Sequence, residues 1–523
     1  MASEKHYYLT TPIYYVNDVP HIGHAYTTLA CDVLARFKRL DGYDVHFLTG
    51  TDEHGQKVEK SAALAGVDPQ SFTDRVSKNF RDLAGFMNYS NDDFIRTTEA
   101  RHATASQAIW RRLKQNGHIY LGSYAGWYAV RDEAYYNEDE LTDGPGGKKI
   151  APSGAEAEWV EEPSYFFDLS KWQDRLLAFY DANPDFIAPA SRRNEVISFV
   201  KGGLRDLSVS RTSFKWGVPV PDDADHIMYV WLDALTNYLT AVGYPDETCE
   251  MFRARWPVDL HMVGKDILRF HAVYWPAFLM GADLAPPKRV FAHGWWTNEG
   301  RKISKSLGNI IDPIDIVERY GLDQVRYFLL REVPFGNDGD FSHQAVIGRI
   351  NADLANDLGN LAQRALSMVN RNCDAKVPEP GGEGFKVDAV LLKAHGLLDK
   401  VRAQIDAQAF HLALDEIWLV VRAANRAIDE DAPWTLRKTD TVAMGRVLYS
   451  LCEIIRHLAI VLLPFMPSSC DRLLDQLAVP ADKRDFAALH KGEHVTDENA
   501  LKPGTALPKP EGVFPRYVEA ETS

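Results

Sequence analysis

At 523 residues, the chain is too long for one ordinary core and suggests about two to four domains. With 58 Lys and Arg against 73 Asp and Glu, its formal charge of −15 argues against indiscriminate coating of nucleic acid. A local basic patch remains possible, with binding that weakens as salt rises. No run of about 18 apolar residues is present, so no membrane span is expected. MASEKHYYLT has neither a signal-peptide core nor an Arg/Ser-rich transit segment, so the cytoplasm is the expected compartment. Cys31, Cys249, Cys373, Cys452 and Cys470 are scattered without a C-x-x-C pair, so they read as small buried apolar residues.

In chain order, His6 to Tyr15 reads as a strand and its turn, followed by the tetrad His21-Ile22-Gly23-His24. Apolar or small residues at Ile22, Ala25, Leu29, Val33, Phe37 and Leu40 then recur near helical spacing until Gly42. A strand, a tight turn and a helix N-terminus suit phosphate, because the helix end offers N–H groups and a positive dipole end. Gly23 lacks a Cβ and permits close approach of a nucleotide, while His21 and His24 add donors to a phosphoryl group as charge develops.

Asp44 to Thr49 predicts the next strand, ending in GTDEHG. Polar residues at the carboxyl end of a strand fit the ligand crevice of an open α/β sheet. Asp52 is the candidate anchor for a cationic amino group, a turn or helix cap being the alternative. A helical region is expected through about Gly117. Tyr120 to Leu141 is rich in aromatic and acidic residues with strand-like stretches, and 142–155 reads as a loop, so an inserted module interrupts the first domain.

The α/β pattern resumes near His226, where HIMYVWLD passes from strand to a helix carrying Trp231, Ala234, Leu235 and Tyr238. Asp259 to Val263 is a strand running into Gly264-Lys265-Asp266 and a helix with Ile267 and His271. Arg289 to His293 is a further strand before Gly294-Trp295-Trp296. These three strand-to-loop junctions are expected to converge at one crevice. TNEGRKISKSLGN supplies a Gly-flanked cationic loop with Lys302 and Lys305. From about Ser342 the stripes are helical and predict a bundle. There Asn356, Asn360 and Arg364 stand at i, i+4 and i+8, so one helix face is expected to present them together. Leu501 to Val518 is Pro-rich and extended, either packing back on other domains or a loose linker.

His-Ile-Gly-His and, far downstream, Lys302-Ile303-Ser304-Lys305-Ser306 together resemble the HIGH and KMSKS signatures of class I aminoacyl-tRNA synthetases, with Ile303 in place of the usual Met. TTPIYYVND, PHIGHAYT, TGTDEHG, YVWLDAL, GKDILRFH and HGWWT extend the resemblance over nearly the whole chain and narrow it to the methionyl-tRNA synthetase family. The length argues against the leucine, isoleucine and valine enzymes with their large editing insertion, and the lack of cysteine ligands against the cysteine enzyme. The Cys-free insertion is similar to the zinc-free branch of the methionine family found in some bacteria and in organelles. No structural zinc or other protein-bound metal is therefore expected.

The resemblance implies an α/β fold. A Rossmann-like catalytic domain (1–116 and 226–296) would be interrupted by a connective insertion at 117–225. A KMSKS-loop region (297–342), a helical anticodon-binding domain (343–500) and a tail (501–523) would follow. It implies a methionine pocket of Ile13, Tyr15, Trp231, Ala234, Leu235, Tyr238, Ile267 and His271, with Asp52 on the ammonium group. An apolar, aromatic cavity suits a polarizable thioether. Leu235 departs from a Pro of some relatives and Ile13 from a Leu, both apolar changes. Gly23, Gly264, Asp266 and the stretch His293 to Trp296 would contact ATP. His21 and His24 would stabilise its α-phosphate, and Lys302 and Lys305 the leaving pyrophosphate, with Mg²⁺ travelling on ATP. Asn356, Asn360, Arg364 and Trp434 would read the CAU anticodon of tRNA(Met), initiator and elongator alike. A monomer is expected, since no appended C-terminal oligonucleotide-binding domain is visible.

Two other function classes fit parts of the sequence. A tRNA-binding protein without synthetase activity would keep the bundle and lose His21, His24 and Lys305, which are present. Another nucleotidyltransferase would share the His-containing turn but not the anticodon-type bundle or the methionine-pocket residues. One methylene in an apolar pocket discriminates by only about 1–3 kcal/mol, so homocysteine should be partly admitted. The resemblance implies its rejection by cyclisation of the activated amino acid within the synthetic site. Incubation with ATP and homocysteine should release homocysteine thiolactone, and an assay that detects none contradicts this expectation.

Overall fold

In the computed structural model, which describes residues 5–16, 19–132, 134–303, 309–380, 384–489 and 499–519, the apolar runs HYYLT and DVHFLT enter one sheet. Its strands are β1 (Lys5–Thr10), β2 (Tyr14–Tyr15), β3 (Tyr43–Asp52), β4 (Asp93–Arg96), β5 (Ile187–Ala188), β6 (Leu260–Gly264) and β7 (Val290–His293). Their order is β5-β7-β6-β1-β3-β2, with β4 also on β3. The pairs β1–β6, β5–β7, β6–β7, β2–β3 and β3–β4 are parallel. From Val45 to Asp52 every residue of β3 is buried, as expected for a parallel strand covered on both faces.

The chain forms two compact units, each discontinuous in sequence. One comprises His6–Pro20 and Val45–His293; the other comprises Met1–Lys5, His21–Asp44 and Gly294–Ser523. The first holds the parallel sheet, and its core runs from Tyr8, Leu48, Val263 and Val290 to the fully buried Trp110, Trp172 and Trp275. The insertion contributes a long antiparallel pair, Ile119–Ala129 with Glu156–Phe167, and Phe167 joins that same core.

Three local expectations change here. The helical reading before Gly117 misses β4, four residues in which only Ile95 is buried, too little to leave a pattern. The loop 142–155 contains a small antiparallel pair, Thr142–Asp143 with Lys149–Ile150, again too short for periodicity. The strand Asp223–Met228 does not belong to the parallel sheet: it pairs antiparallel with Ser210–Arg211 and Pro219–Val220. A strand's own residues carry no label for its partners, and the junction near His226 is therefore not an end of the parallel sheet.

The second unit begins with the helix Ile22–Leu40, buried on nearly every side. A small sheet orders Arg301–Lys302, Trp296–Asn298 and Gly339–Phe341. Helices follow, including Leu322–Arg331, Asn360–Asn372, Phe410–Asp431 and Thr441–Leu462. The tail packs back within this unit: Leu501, Leu507, Val513 and Phe514 are buried, and Tyr517 exchanges backbone hydrogen bonds with the Asn351 side chain. Among the described residues no helix is long and apolar enough to cross a membrane.

The first helix is fastened to this unit by charge. Asp32 and Arg326 are both fully buried, 2.6 Å apart, and Arg326 also donates to the carbonyls of Pro464 and Phe465 at 2.9 Å. Lys38 reaches Asp406 at 2.6 Å, and Arg402 holds Asp41 through two bonds of 3.0 and 2.8 Å. Removing one partner of a buried pair strands the other charge in a poor solvent. Arg326→Leu should therefore cost about 3 kcal/mol of unfolding free energy in urea titrations. A loss below about 1 kcal/mol would mean that Arg36, 2.9 Å from Asp32, suffices to hold the carboxylate.

Candidate active site

The His-Ile-Gly-His tetrad builds its own cap. His21 is the N-cap of the Ile22–Leu40 helix, and its Nδ1 accepts from the Gly23 N–H at 3.1 Å. His24 Nδ1 accepts from the His21 N–H, also at 3.1 Å, and the rings lie 4.0 Å apart. Burial lowers the basicity of His21; burial and then the neighbouring His21 lower that of His24 much further. Both rings are thus neutral near pH 7. With each Nδ1 accepting, the proton of each sits on Nε2, a donor carried at a helix N-terminus. A Cβ on Gly23 would lie 2.9 Å from His21 Cε1, so a larger residue there would displace the His21 ring.

Lys302 ends the two-residue strand Arg301–Lys302 beside Thr297. Lys305 lies outside the described residues. Of the tryptophan pair, Trp296 is buried against Tyr26 and Phe328, and Trp295 is the exposed ring, at 47%.

The other candidates lie in the sheet-containing unit. Tyr15 and Asp52 are register partners at the carboxyl ends of β2 and β3, and Gly264 and His293 are partners at those of β6 and β7. Asp52 is buried, while Asp266 is exposed. A Cβ on Gly264 would stand 2.5 Å from Asp266 Oδ1. Ile13 packs on two apolar clusters, one with Ala234 and Trp231, the other with Leu235, Tyr238 and Ile267. Trp231 stacks on Phe270, centroids 3.4 Å apart. The Tyr238 hydroxyl is 2.7 Å from His271 Nε2, and His271 Nδ1 is 3.0 Å from the Ile267 carbonyl. A carbonyl only accepts, so Nδ1 carries the proton and Nε2 accepts from tyrosine. Ile13, Trp231, Ala234, Leu235, Tyr238, Ile267 and His271 therefore form one connected group. Tyr15 packs elsewhere, with Tyr14, Val16 and Phe80.

In the bundle, Asn356 and Asn360 are exposed and Arg364 is half-buried. Asn356 belongs to a π-helical segment, Ile350–Gly359, whose wider turn changes its phase relative to Asn360 and Arg364 on the following α-helix. Arg364 pairs with Asp429, and its guanidinium lies 5.1 Å from the ring centroid of the 39% exposed Trp434.

The family model described as "tRNA synthetases class I (M)" matches residues 7–366, and that of the "Anticodon binding domain of methionyl tRNA ligase" matches residues 377–523. The methionine–tRNA ligase of Brucella suis is 58% identical over 521 residues, covering 100% of this chain and 99% of the relative. The chain belongs to the methionyl-tRNA synthetase family. The methionyl-tRNA synthetase of Mycobacterium tuberculosis in complex with methionyl-adenylate superposes with a TM-score of 0.94 at 55% identity, covering 98% of this chain and 100% of that one. Its apo form gives 0.89 at 51% identity, with 99% of each chain covered.

Several buried polar groups leave no motif of their own in the sequence. Glu53, fully buried, is held by Arg96 at 2.7 and 2.8 Å and by the Thr51 and Thr98 hydroxyls at 2.7 and 2.6 Å. Asp233, also fully buried, lies 2.7 Å from both His54 Nδ1 and His102 Nε2. Burial alone would raise its carboxyl, but the His54 charge and the hydrogen bonds from His102 and His54 hold it down at about 2. His261 is buried beside Tyr238, its Nδ1 2.7 Å from the Thr10 hydroxyl. The available signal was composition: an acid inside VWLDALTNYLT has no reason to be there unless paired.

Burial pushes His271 down to about 4, against the Ile267 carbonyl and Asp266, which pull it upward. Its unfolded value is 6.5, so between 6.5 and 4 the unfolded chain takes up a proton that the folded one refuses. Stability contributed by the neutral ring is thus present above pH 6.5 and lost as pH falls to 4, by about 3 kcal/mol in all. Unfolding titrations of His271→Gln should fall less steeply than wild type over this window by that amount, whereas parallel curves would contradict the assignment.

Proposed function

We propose that the chain activates L-methionine with ATP, forming methionyl-adenylate, and transfers the methionyl group to tRNA(Met). The observation that carries this reading is the relation, along the whole chain, to a synthetase seen with methionyl-adenylate. In the first step a methionine carboxylate oxygen bonds to the α-phosphorus in line, and the bond from that phosphorus to the bridging oxygen breaks to release pyrophosphate. In the second, the terminal ribose hydroxyl of tRNA attacks the methionyl carbonyl carbon and AMP leaves. No side chain acts as nucleophile; the protein orients reactants and stabilises charge.

The neutral His21 and His24 each carry Nε2–H toward the α-phosphate oxygens, where negative charge grows. Lys302 and Lys305 stabilise pyrophosphate, Lys305 being the more important. Closure and reopening of the Lys302–Ser306 loop over ATP forms part of the proposal. Gly23 and Gly264 admit the nucleotide closely, Asp266 takes its ribose, and His293 to Trp296 border the adenine. Asp52 holds the methionine ammonium group. Ile13, Tyr15, Trp231, Ala234, Leu235, Tyr238, Ile267 and His271 enclose the thioether side chain. The connected packing of most of these residues supports the assignment. Asn356, Asn360, Arg364 and Trp434 contact the anticodon, supported by the proximity of Arg364 to the exposed Trp434 ring.

Mg²⁺ enters with ATP, whose phosphates supply most of its oxygen ligands. Among the described residues there is no group of three or more His, Cys, Asp or Glu that could hold a metal ion. The proposal includes the domain division 1–116, 117–225, 226–296, 297–342, 343–500 and 501–523. It also includes a cytoplasmic monomer that charges initiator and elongator tRNA(Met) without membrane association.

ATP–pyrophosphate exchange, run with each amino acid in turn, tests the reading. Methionine alone should support exchange, and Lys305→Ala should lower it by about a hundredfold or more. Exchange with a different amino acid would overturn the pocket assignment and keep the class. Absence of exchange, with and without tRNA, would overturn the activity.

A further inference from the structure

The helix that carries much of the proposed methionine pocket is not self-supporting. It spans Val230–Leu235, with no side-chain N-cap bond, and only one further turn, Asn237–Thr240, follows across Thr236. So short a helix is marginal and takes its orientation from what it touches. Trp231 is half-buried and stacked on Phe270, while Ala234 packs with Ile13. On the same helix, Asp233 faces the interior, and both carboxylate oxygens are engaged.

The partners of Asp233 come from distant parts of the chain. His54 stands two residues beyond Asp52, at the carboxyl end of β3. His102 lies on the helix Ala100–Gln115; its Nδ1 is 3.2 Å from the Thr240 hydroxyl, and Ser106 Oγ is 3.2 Å from its Nε2. One carboxylate thus joins three elements: the strand end that presents Asp52, the helix behind it, and the helix that presents Trp231 and Ala234. Two hydrogen bonds to one charge fix a direction as well as a distance.

We propose that Asp233 is a positioning residue for methionine: through His54 and His102 it sets the Val230–Leu235 helix against the β3 end, so that the ammonium-binding and side-chain-binding parts of the pocket keep their spacing. This rests on the methionine-activating reading above. The side-chain partners of Asp233 are His54 and His102, neither of them assigned to ATP, so its influence should be confined to one substrate. A carboxylate that merely stabilised the core would lower stability without choosing between substrates.

Asp233→Asn preserves shape and replaces one acceptor oxygen with a donor, and His54→Leu removes the donor from the other side. In methionine-dependent pyrophosphate exchange both variants should raise the methionine KM about tenfold or more, with kcat and the ATP KM within about twofold of wild type. His54→Asn sets an amide nitrogen close to the position of Nδ1, so it should bring the methionine KM back to within about threefold. Methionine KM unchanged in both Asp233→Asn and His54→Leu, or methionine and ATP KM rising together, overturns the inference. If Asp233→Asn does not fold, the His54→Leu and His54→Asn pair decides alone. Wild-type protein without methionine-dependent exchange overturns the parent reading and this inference together; an active wild type with unaffected variants overturns this inference only.

Discussion

The buried Asp32–Arg326 pair explains how the chain is divided. The helix that follows the His-Ile-Gly-His tetrad leaves the sheet in sequence but belongs, by packing and by charge, to the unit formed largely from the C-terminal half. Two ions removed from water are tolerated because Arg326 has further acceptors in Pro464 and Phe465 and Asp32 a second donor in Arg36. The peripheral pairs Lys38–Asp406 and Arg402–Asp41 extend the same fastening to the end of the helix. The tetrad's two imidazoles therefore sit on a helix that is held by charge from its middle to its C-terminal end.

Desolvation recurs as the way this chain sets protonation. His21, His24, His261 and His271 are all driven toward the neutral form by burial. In three of them a specific hydrogen bond also fixes the tautomer: Nδ1 accepts in the tetrad and donates in His271. A neutral ring with a known proton position is a directional donor or acceptor, whereas an imidazolium would be an indiscriminate cation. Asp233 is the opposite case, ionised despite burial because two histidines surround it.

The legible parts of the fold were those whose reason is local. The tetrad caps its own helix with residues three apart, and the long helices Phe410–Asp431 and Thr441–Leu462 repeat their apolar faces over many turns. The strand Asp223–Met228 was visible as a strand but not as a member of a separate antiparallel sheet, because pairing is a property of two segments. Trp295 and Trp296 look equivalent in sequence; Gly339, which leaves room for the Trp296 ring, makes one of them core and the other surface. The Asp233 network was hidden for a similar reason, its histidines standing 131 and 179 positions away. The resemblance to a family supplied what locality could not, an expectation of which remote segments come together.

The fastening of the first helix also has a timetable. Arg326 follows Asp32 by 294 positions, and Asp406 follows Lys38 by 368. At ribosomal speeds of roughly 5–20 residues per second, the guanidinium that neutralises Asp32 emerges about 15–60 s after it. Through that interval a helix that ends up buried on nearly every side lacks the partners that neutralise its charges, although Trp296, which packs on Tyr26, is made earlier. The order of synthesis thus leaves the segment bearing the tetrad without its charge partners for most of translation, although it is among the first to be made.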